Sequence, residues 1–245
     1  MQILYITRAR IPSEKAHTFQ IMTMCNAFAA IGHQVTLVVP KRVNVIGESI
    51  KEYYQVTPNF TTMYVRSIPI IYNRFFGRIT SFLEGLAFSF QTLFIKIDSK
   101  SIVMTRSIDV AFVHALVGRK VILEIHDWHP NSARWYVQLL KYIPHIIVTA
   151  KGLAEELQRN NIHHHLVVPN AVGTEYFSTD TKNVISKSDY NIDSEKYIVM
   201  YVGSFGHWKG LSTLLECDQL LDDDIYQIVI AGGSDVEVRD VSSQF

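Results

Sequence analysis

Three stretches of the chain bring together residue types that can do chemistry. In Gly203-Ser204-Phe205-Gly206-His207-Trp208-Lys209-Gly210 the glycines let backbone approach an anion closely, and Lys209 adds a full positive charge. A helix starting just after it would add unpaired N–H groups and a partial positive charge. The order is not G-x-x-x-x-G-K-[ST], so this is not a Walker A loop. In Glu124-Ile125-His126-Asp127-Trp128-His129, polar residues follow an apolar run, the position at which strands of an open α/β sheet meet a ligand crevice. His126 is the candidate there. His126 and His129 could share zinc, but no third ligand and no nearby cysteine is evident, so no metal is expected. The third stretch, residues 7–15, lacks G-x-G-x-x-G, and the next apolar run ends in Pro40-Lys41-Arg42 with no acid to hold a ribose. That argues against a nicotinamide or flavin cofactor. Ser13 and Glu14 either begin a helix or line a polar crevice. The run His163-His164-His165 would alternate faces in a strand, cannot converge on one ion without distortion, and reads as a solvated strand start.

The elements that must position these residues follow from apolar spacing. Residues 2–7 form a β-rich run, and residues 16–31 carry Phe19, Met22, Cys25, Phe28 and Ala29 at helical spacing, closed by Gly32. Residues 35–39 are a second strand, so the chain opens as strand, helix, strand with a right-handed crossover. Further strands are expected at 62–65, 102–105, 121–125, 145–149 and 166–169, with helices at 75–97, 132–141 and 153–159. Alternation of this kind predicts an α/β, doubly wound parallel sheet of seven strands over residues 1–180. Residues 181–195, rich in Ser, Asp, Asn and Lys, read as a linker. The pattern restarts at 196–245 with strands at 197–202 and 227–231 around a helix at 211–221. One βαβ unit is too short for an independent α/β domain, so this second domain is expected to be incomplete.

Composition bounds the class. With 48% hydrophobic and 19% charged residues in 245, the chain is globular and long enough to hold a core without metal or disulfide. Cys25 and Cys217 lie far apart in helical segments, which predicts free buried thiols in a reducing, cytoplasmic setting. The formal charge is zero, yet residues 191–245 hold ten acids against three bases, so the first 190 carry a net positive charge of seven. A basic first domain suits an anionic acceptor or surface. The apolar stretch 75–97 contains Arg78, Glu84, Gln91 and Lys96, which makes it a poor membrane span and a plausible buried or interfacial helix. Peripheral association with the inner face of a membrane is the corresponding expectation.

Taken together, IPSEKAHTFQIMTMCNAFAAIGHQVTLVVP, VILEIHD, HIIVTAKGLAEEL, VVPNAVGTEYF, YVGSFGHWKGLSTLLE and IVIAGG resemble the family 4 glycosyltransferases, a large GT-B group. The resemblance implies two Rossmann-like domains facing a cleft, the first mainly recognising the acceptor and the second a nucleotide-diphospho-sugar donor. It implies a retaining, metal-independent transferase with no cofactor. The acceptor would be a glycan or lipid-linked molecule of cell-surface glycan or glycolipid synthesis, with no nucleic acid as partner. Lys209 matches the family lysine on the donor diphosphate, His126 the histidine facing the donor sugar, and Asn170 the asparagine of P-N-G-V-D. Gly203, Ser204, Gly206 and Gly210 complete the expected donor side; Ser13, Glu14, His17 and Thr18 form the acceptor side. Departures accompany the match. Gly203-Ser204 stands where the family has Gly-Arg, Pro169-Asn170-Ala171-Val172-Gly173 stands for P-N-G-V-D, and the acidic E-x7-E region would fall beyond Phe245. Low activity of this chain alone is therefore expected. The alternatives are a noncatalytic remnant or sugar-binding module, a GT-B sugar-nucleotide epimerase, and a two-chain enzyme whose remaining donor domain is separately encoded.

Overall fold

The computed structural model describes residues 1–66, 77–128, 134–173 and 186–242. They divide into two compact units, Met1–Ala171 and Val172–Phe245. In the first, the order is β1 (Gln2–Ile6), α1 (Ala16–Ala30), β2 (Gln34–Lys41), α2 (Ile50–Tyr54), β3 (Thr61–Arg66), α3 (Gly77–Thr92) and β4 (Ile102–Thr105). There follow α4 (Ile108–Leu116), β5 (Lys120–Ile125), α5 (Arg134–Leu140), β6 (His145–Val148), α6 (Lys151–Arg159) and β7 (His165–Val167). All seven strands pair in parallel, as the alternation in the sequence predicts, and they lie in the order β3-β2-β1-β4-β5-β6-β7.

Period-two alternation divides the strand side chains between two cores. Leu4 and Ile6 of β1 join Val103, Leu123, Ile146 and Val148 on the face covered by helix residues Phe88, Val110, Leu140 and Leu157. Ile3 and Tyr5 join Val35, Leu37, Val39 and Met104 on the other face, where Ile21, Met22 and Cys25 of α1 cover them. Burial on both faces is why these strands read as nearly unbroken apolar runs. The buried stripe of α1 is Thr18, Ile21, Met22 and Cys25. Phe19, expected in that stripe, instead lies at its edge with its ring 6.0 Å from that of Tyr54. Gly32 at φ 90° ends α1, its N–H bonded to Ala29 O and that of His33 to Phe28 O.

Three helices go beyond the sequence reading: α2, α4 and, in the second unit, α8 (Asp235–Ser242). The helix expected at 75–97 is observed as α3, with residues 75 and 76 outside the described residues. It ends early because Arg119 takes the carbonyls of Leu93 and Ile95 at 2.7 and 3.1 Å, satisfying acceptors a longer helix would have used. Within α3, Gly85 makes room for the Arg8 guanidinium: a Cβ there would lie 2.4 Å from Arg8 Cζ. Arg8 reaches the buried Asp109 of α4 at 3.1 Å, and Asp109 also accepts the Ser89 hydroxyl at 3.3 Å.

The second unit pairs β8 (Tyr197–Val202) with β9 (Tyr226–Ala231) in parallel around α7 (Leu211–Asp218). Leu211 is its only fully buried hydrophobic among the described residues, while Tyr197, Met200 and Val202 stay more than half exposed. Asn191 and Asp193 are tied to the Gln227 side chain of β9 at 3.1 and 2.8 Å. Cys25 is buried as expected, but Cys217 is exposed, because it lies off the narrow side of α7 that Leu211 buries.

Candidate functional site

The chain leaves β1 for β2 and β3 on one side, then returns to place β4 on the other. The carboxyl ends of β1 and β4 therefore flank the topological switch point of the sheet, where open α/β folds bind ligands. A cavity of about 420 Å³ lies at this end of the sheet, lined by His17, Gln20, Arg106, Glu124, His126 and Tyr136 among others.

Glu124 organises it. The residue belongs to β5, and its side chain is 3% exposed. Arg106, just past β4, approaches it with Nη2 at 3.0 Å from Oε1 and Nε at 3.3 Å from Oε2. Tyr5 of β1 donates its hydroxyl to Oε2 at 3.0 Å, and His126 Nε2 lies 2.5 Å from Oε1. Burial raises the Glu124 pKa, but the His126 hydrogen bond and the Arg106 charge outweigh it and hold the carboxyl at about 2. An ionised carboxylate only accepts, so His126 Nε2 carries the hydrogen and Nδ1 is left without a partner among the described residues. Burial, with a smaller contribution from Glu124, pushes the Tyr5 hydroxyl well above its ordinary range, so it remains a donor.

His17, the second residue of α1, lines the same cavity; burial, then the Arg106 and Lys15 charges, lowers its pKa and favours the neutral ring. Tyr136 stacks edge-on against Trp128 with ring centroids 5.9 Å apart, and burial followed by the Asp127 charge raises its hydroxyl to about 12. Gln20, which lines the cavity, donates to Asn170 Oδ1 at 2.7 Å.

The structure thus places His126 and His17 in the wall of one cavity, with Asn170 hydrogen-bonded to Gln20 of that wall. It separates them from Ser13 and Thr18, which are buried in a hydrogen-bonded knot beneath the loop. Ser13 N–H donates to the Tyr54 hydroxyl at 2.8 Å, and that oxygen lies 2.9 Å from both Ser13 O and Thr18 Oγ1. Thr18 donates to Lys15 O at 2.6 Å. Glu14 is at the surface and pairs with Arg10 at 2.8 Å. Sequence reasoning missed Arg106 and Tyr5 altogether and gave Glu124 no role. A glutamate interrupting the apolar run of residues 121–125 was the available signal for Glu124.

In the second unit, Gly203, Ser204, Gly206, Lys209 and Gly210 share the turn between β8 and α7. Gly203 has φ 154°, and Gly210, at φ 77°, opens α7 with no side-chain cap. Ser204 O accepts the Tyr201 hydroxyl at 2.6 Å, and Lys209 N–H closes onto Gly206 O at 2.8 Å, leaving the lysine side chain exposed. Gly232, after β9, must also be small: a Cβ there would lie 2.0 Å from Gly203 O. Among the described residues no group of three His, Cys, Asp or Glu is placed to hold a metal ion. His129 lies outside them.

No protein-family model matches the chain, and no curated protein matches it. Solved structures do. A sucrose-phosphate synthase from Thermosynechococcus elongatus superposes with a TM-score of 0.69 at 18% identity, over 99% of this chain and 66% of that one. The Anabaena protein HepE, solved in complex with UDP and glucose, gives 0.65 at 12%, over 100% and 64%. A Listeria monocytogenes protein provisionally assigned as a UDP-N-acetylglucosamine 2-epimerase gives 0.61 at 10%, over 99% and 65%. This chain therefore spans about two thirds of the length of these chains. At such identities the likeness is one of fold: α/β, with a seven-stranded parallel Rossmann-like sheet, a small second sheet, and GT-B-like neighbours.

Proposed function

We propose that this chain is a nucleotide-sugar-dependent glycosyltransferase of the GT-B type, retaining and metal-independent, acting on a glycan or lipid-linked acceptor. The observation that carries the reading is His126, fixed by a buried ionised carboxylate in a cavity at the switch point of the sheet. The solved HepE complex, with its UDP and glucose, supports a donor of that class.

Transfer breaks the bond between the sugar and the diphosphate, so negative charge grows on the departing nucleoside diphosphate. Preorganised cations and dipoles lower that barrier, because they need not reorient as the charge appears. Lys209 and the first N–H groups of α7 take that role. In the first unit His126 Nδ1 accepts a hydroxyl of the donor sugar while Glu124 holds the ring, and His17 and the residues around it meet the acceptor. Asn170 contributes on the donor side, and Ser204 supplies no cation where the family has arginine.

The test is release of nucleoside diphosphate from a panel of nucleotide-diphospho-sugars, with product anomers assigned by NMR. Lys209→Ala and His126→Ala should each lower turnover about a hundredfold or more. Full turnover by either variant removes that residue from the mechanism. A free epimerised sugar nucleotide, formed without acceptor, would establish the epimerase alternative instead.

A further inference from the structure

A second cavity, also of about 420 Å³, opens at the carboxyl ends of β2 and β3, away from His126 at the end of β5. Its wall includes Arg10, Lys41 and Arg42 but no acidic side chain, together with Pro12, Asn44 and Tyr64. We infer that it is a phosphate-binding subsite of the acceptor, built by Arg10, Lys41 and Arg42 on the side of the first unit remote from His126.

The wall is built, not merely charged. Asn44 Nδ2 donates to Pro12 O at 2.9 Å, and its Oδ1 accepts Ile46 N–H at 3.1 Å, so one side chain clamps the loop after β2 onto the loop after β1. Arg42 is oriented by Arg8 O at 3.3 Å and Glu84 at 2.7 Å. Arg10 pairs with Glu14, whose carboxylate is 62% exposed, so water weakens that pair and leaves the guanidinium available to a second anion. Lys41 has no carboxylate partner among the described residues. With Arg10 and Arg42 each sharing a carboxylate, Lys41 brings the uncompensated charge of the cavity, and an entering phosphate meets it beside two guanidinium forks whose geometry suits its oxygens. The cavity's size falls in the usual range of small-ligand sites, about 300–1,000 Å³. In a dinucleotide fold the end of the second strand carries an acid for ribose; here the same position carries Lys41 and Arg42, which inverts its preference.

Assigning this anion to the acceptor rests on the transferase reading; the anion site itself does not. The full chain is titrated with inorganic phosphate and, separately, with UDP, following backbone amide shifts. Phosphate should move the amides of residues 41–44, and Lys41→Glu should weaken phosphate about tenfold, roughly 1.4 kcal/mol, while Lys41→Arg stays within about twofold of the unsubstituted chain. Both variants should bind UDP as the unsubstituted chain does. Unchanged phosphate affinity in Lys41→Glu overturns the subsite. Lys41-dependent phosphate binding without any UDP binding keeps the anion site and overturns its assignment to the acceptor of a transferase. Sedimentation with phosphatidylcholine vesicles, with and without phosphatidic acid, distinguishes the source. Lys41-dependent pelleting on the acidic vesicles assigns the phosphate to a lipid headgroup; phosphate binding without pelleting assigns it to a soluble acceptor.

Discussion

Glu124 sits among apolar strand neighbours and is kept ionised there by Arg106, His126 and Tyr5. Removing one partner of a buried pair leaves the other uncompensated, so Glu124→Gln should cost about 3–5 kcal/mol of stability, against about 1 kcal/mol for Tyr5→Phe. The carboxyl titrates at about 2 in the fold and at an ordinary 4.5 otherwise. Its contribution is therefore present in full above 4.5 and lost as pH falls through 2. Denaturant titrations of the two variants at pH 7 and pH 3 measure this; equal losses for both at pH 7 would show that the charge network does not stabilise the site. His126 was legible in the sequence because it directly follows an apolar run. Arg106 and Tyr5 were not, since they lie 18 and 119 positions from Glu124 and only the strand order brings them to it.

At the scale of elements, α3 and α4 are joined by His114 and Arg119. His114 is fully buried, with Nε2 2.9 Å from Thr92 Oγ1 and Nδ1 3.2 Å from an Arg119 Nη. Thr92 spends its hydroxyl hydrogen on Ser89 O, and arginine can only donate, so the ring is neutral with its hydrogen on Nε2. Burial, then the Arg119 charge, lowers its pKa from 6.5 to about 4. The unfolded chain takes up this proton first, so the stability His114 supplies is present above 6.5 and drains away as pH falls toward 4. The loss reaches about 3 kcal/mol. Melting temperature should fall over that window, and His114→Gln should flatten the fall; an identical slope in the variant would remove His114 as its cause. The sequence reading passed over α4 for a physical reason. A helix buried at Asp109, Val110, Ala111, Val113 and His114 shows no polar face, so its apolar run carries no clear 3.6 period. By contrast α8 had a readable start, since Ser234 and Glu237 exchange side-chain and backbone bonds across the first turn.

Across the whole molecule the two units differ in how much they bury. The first packs helices against both faces of seven strands; the described part of the second buries only Leu211 fully among its hydrophobics. Amides whose hydrogen bonds are shielded by little packing open at low free energy. Native-state hydrogen exchange should therefore be much slower in β1 and β4 than in β8 and β9, and comparable protection would overturn this ranking. Charge separates the units too, since the ten acids of residues 191–245 face only three bases there. Among the described residues no helix is long and apolar enough to cross a membrane. Binding of the basic first unit to anionic vesicles should weaken as salt is raised, and salt-independent binding would overturn a charge-driven contact.

The placement of β1 between β2 and β4 also sets a timetable for synthesis. The partner for one edge of β1, the strand β2, begins 28 positions after β1 ends, but β4 begins 96 positions after it. At ribosomal speeds of about 5–20 residues per second, the second edge waits roughly 5–20 s for its neighbour. During that interval the nascent chain presents an apolar strand with an open row of N–H and C=O groups. That geometry invites pairing with other chains until β4 arrives to cover it.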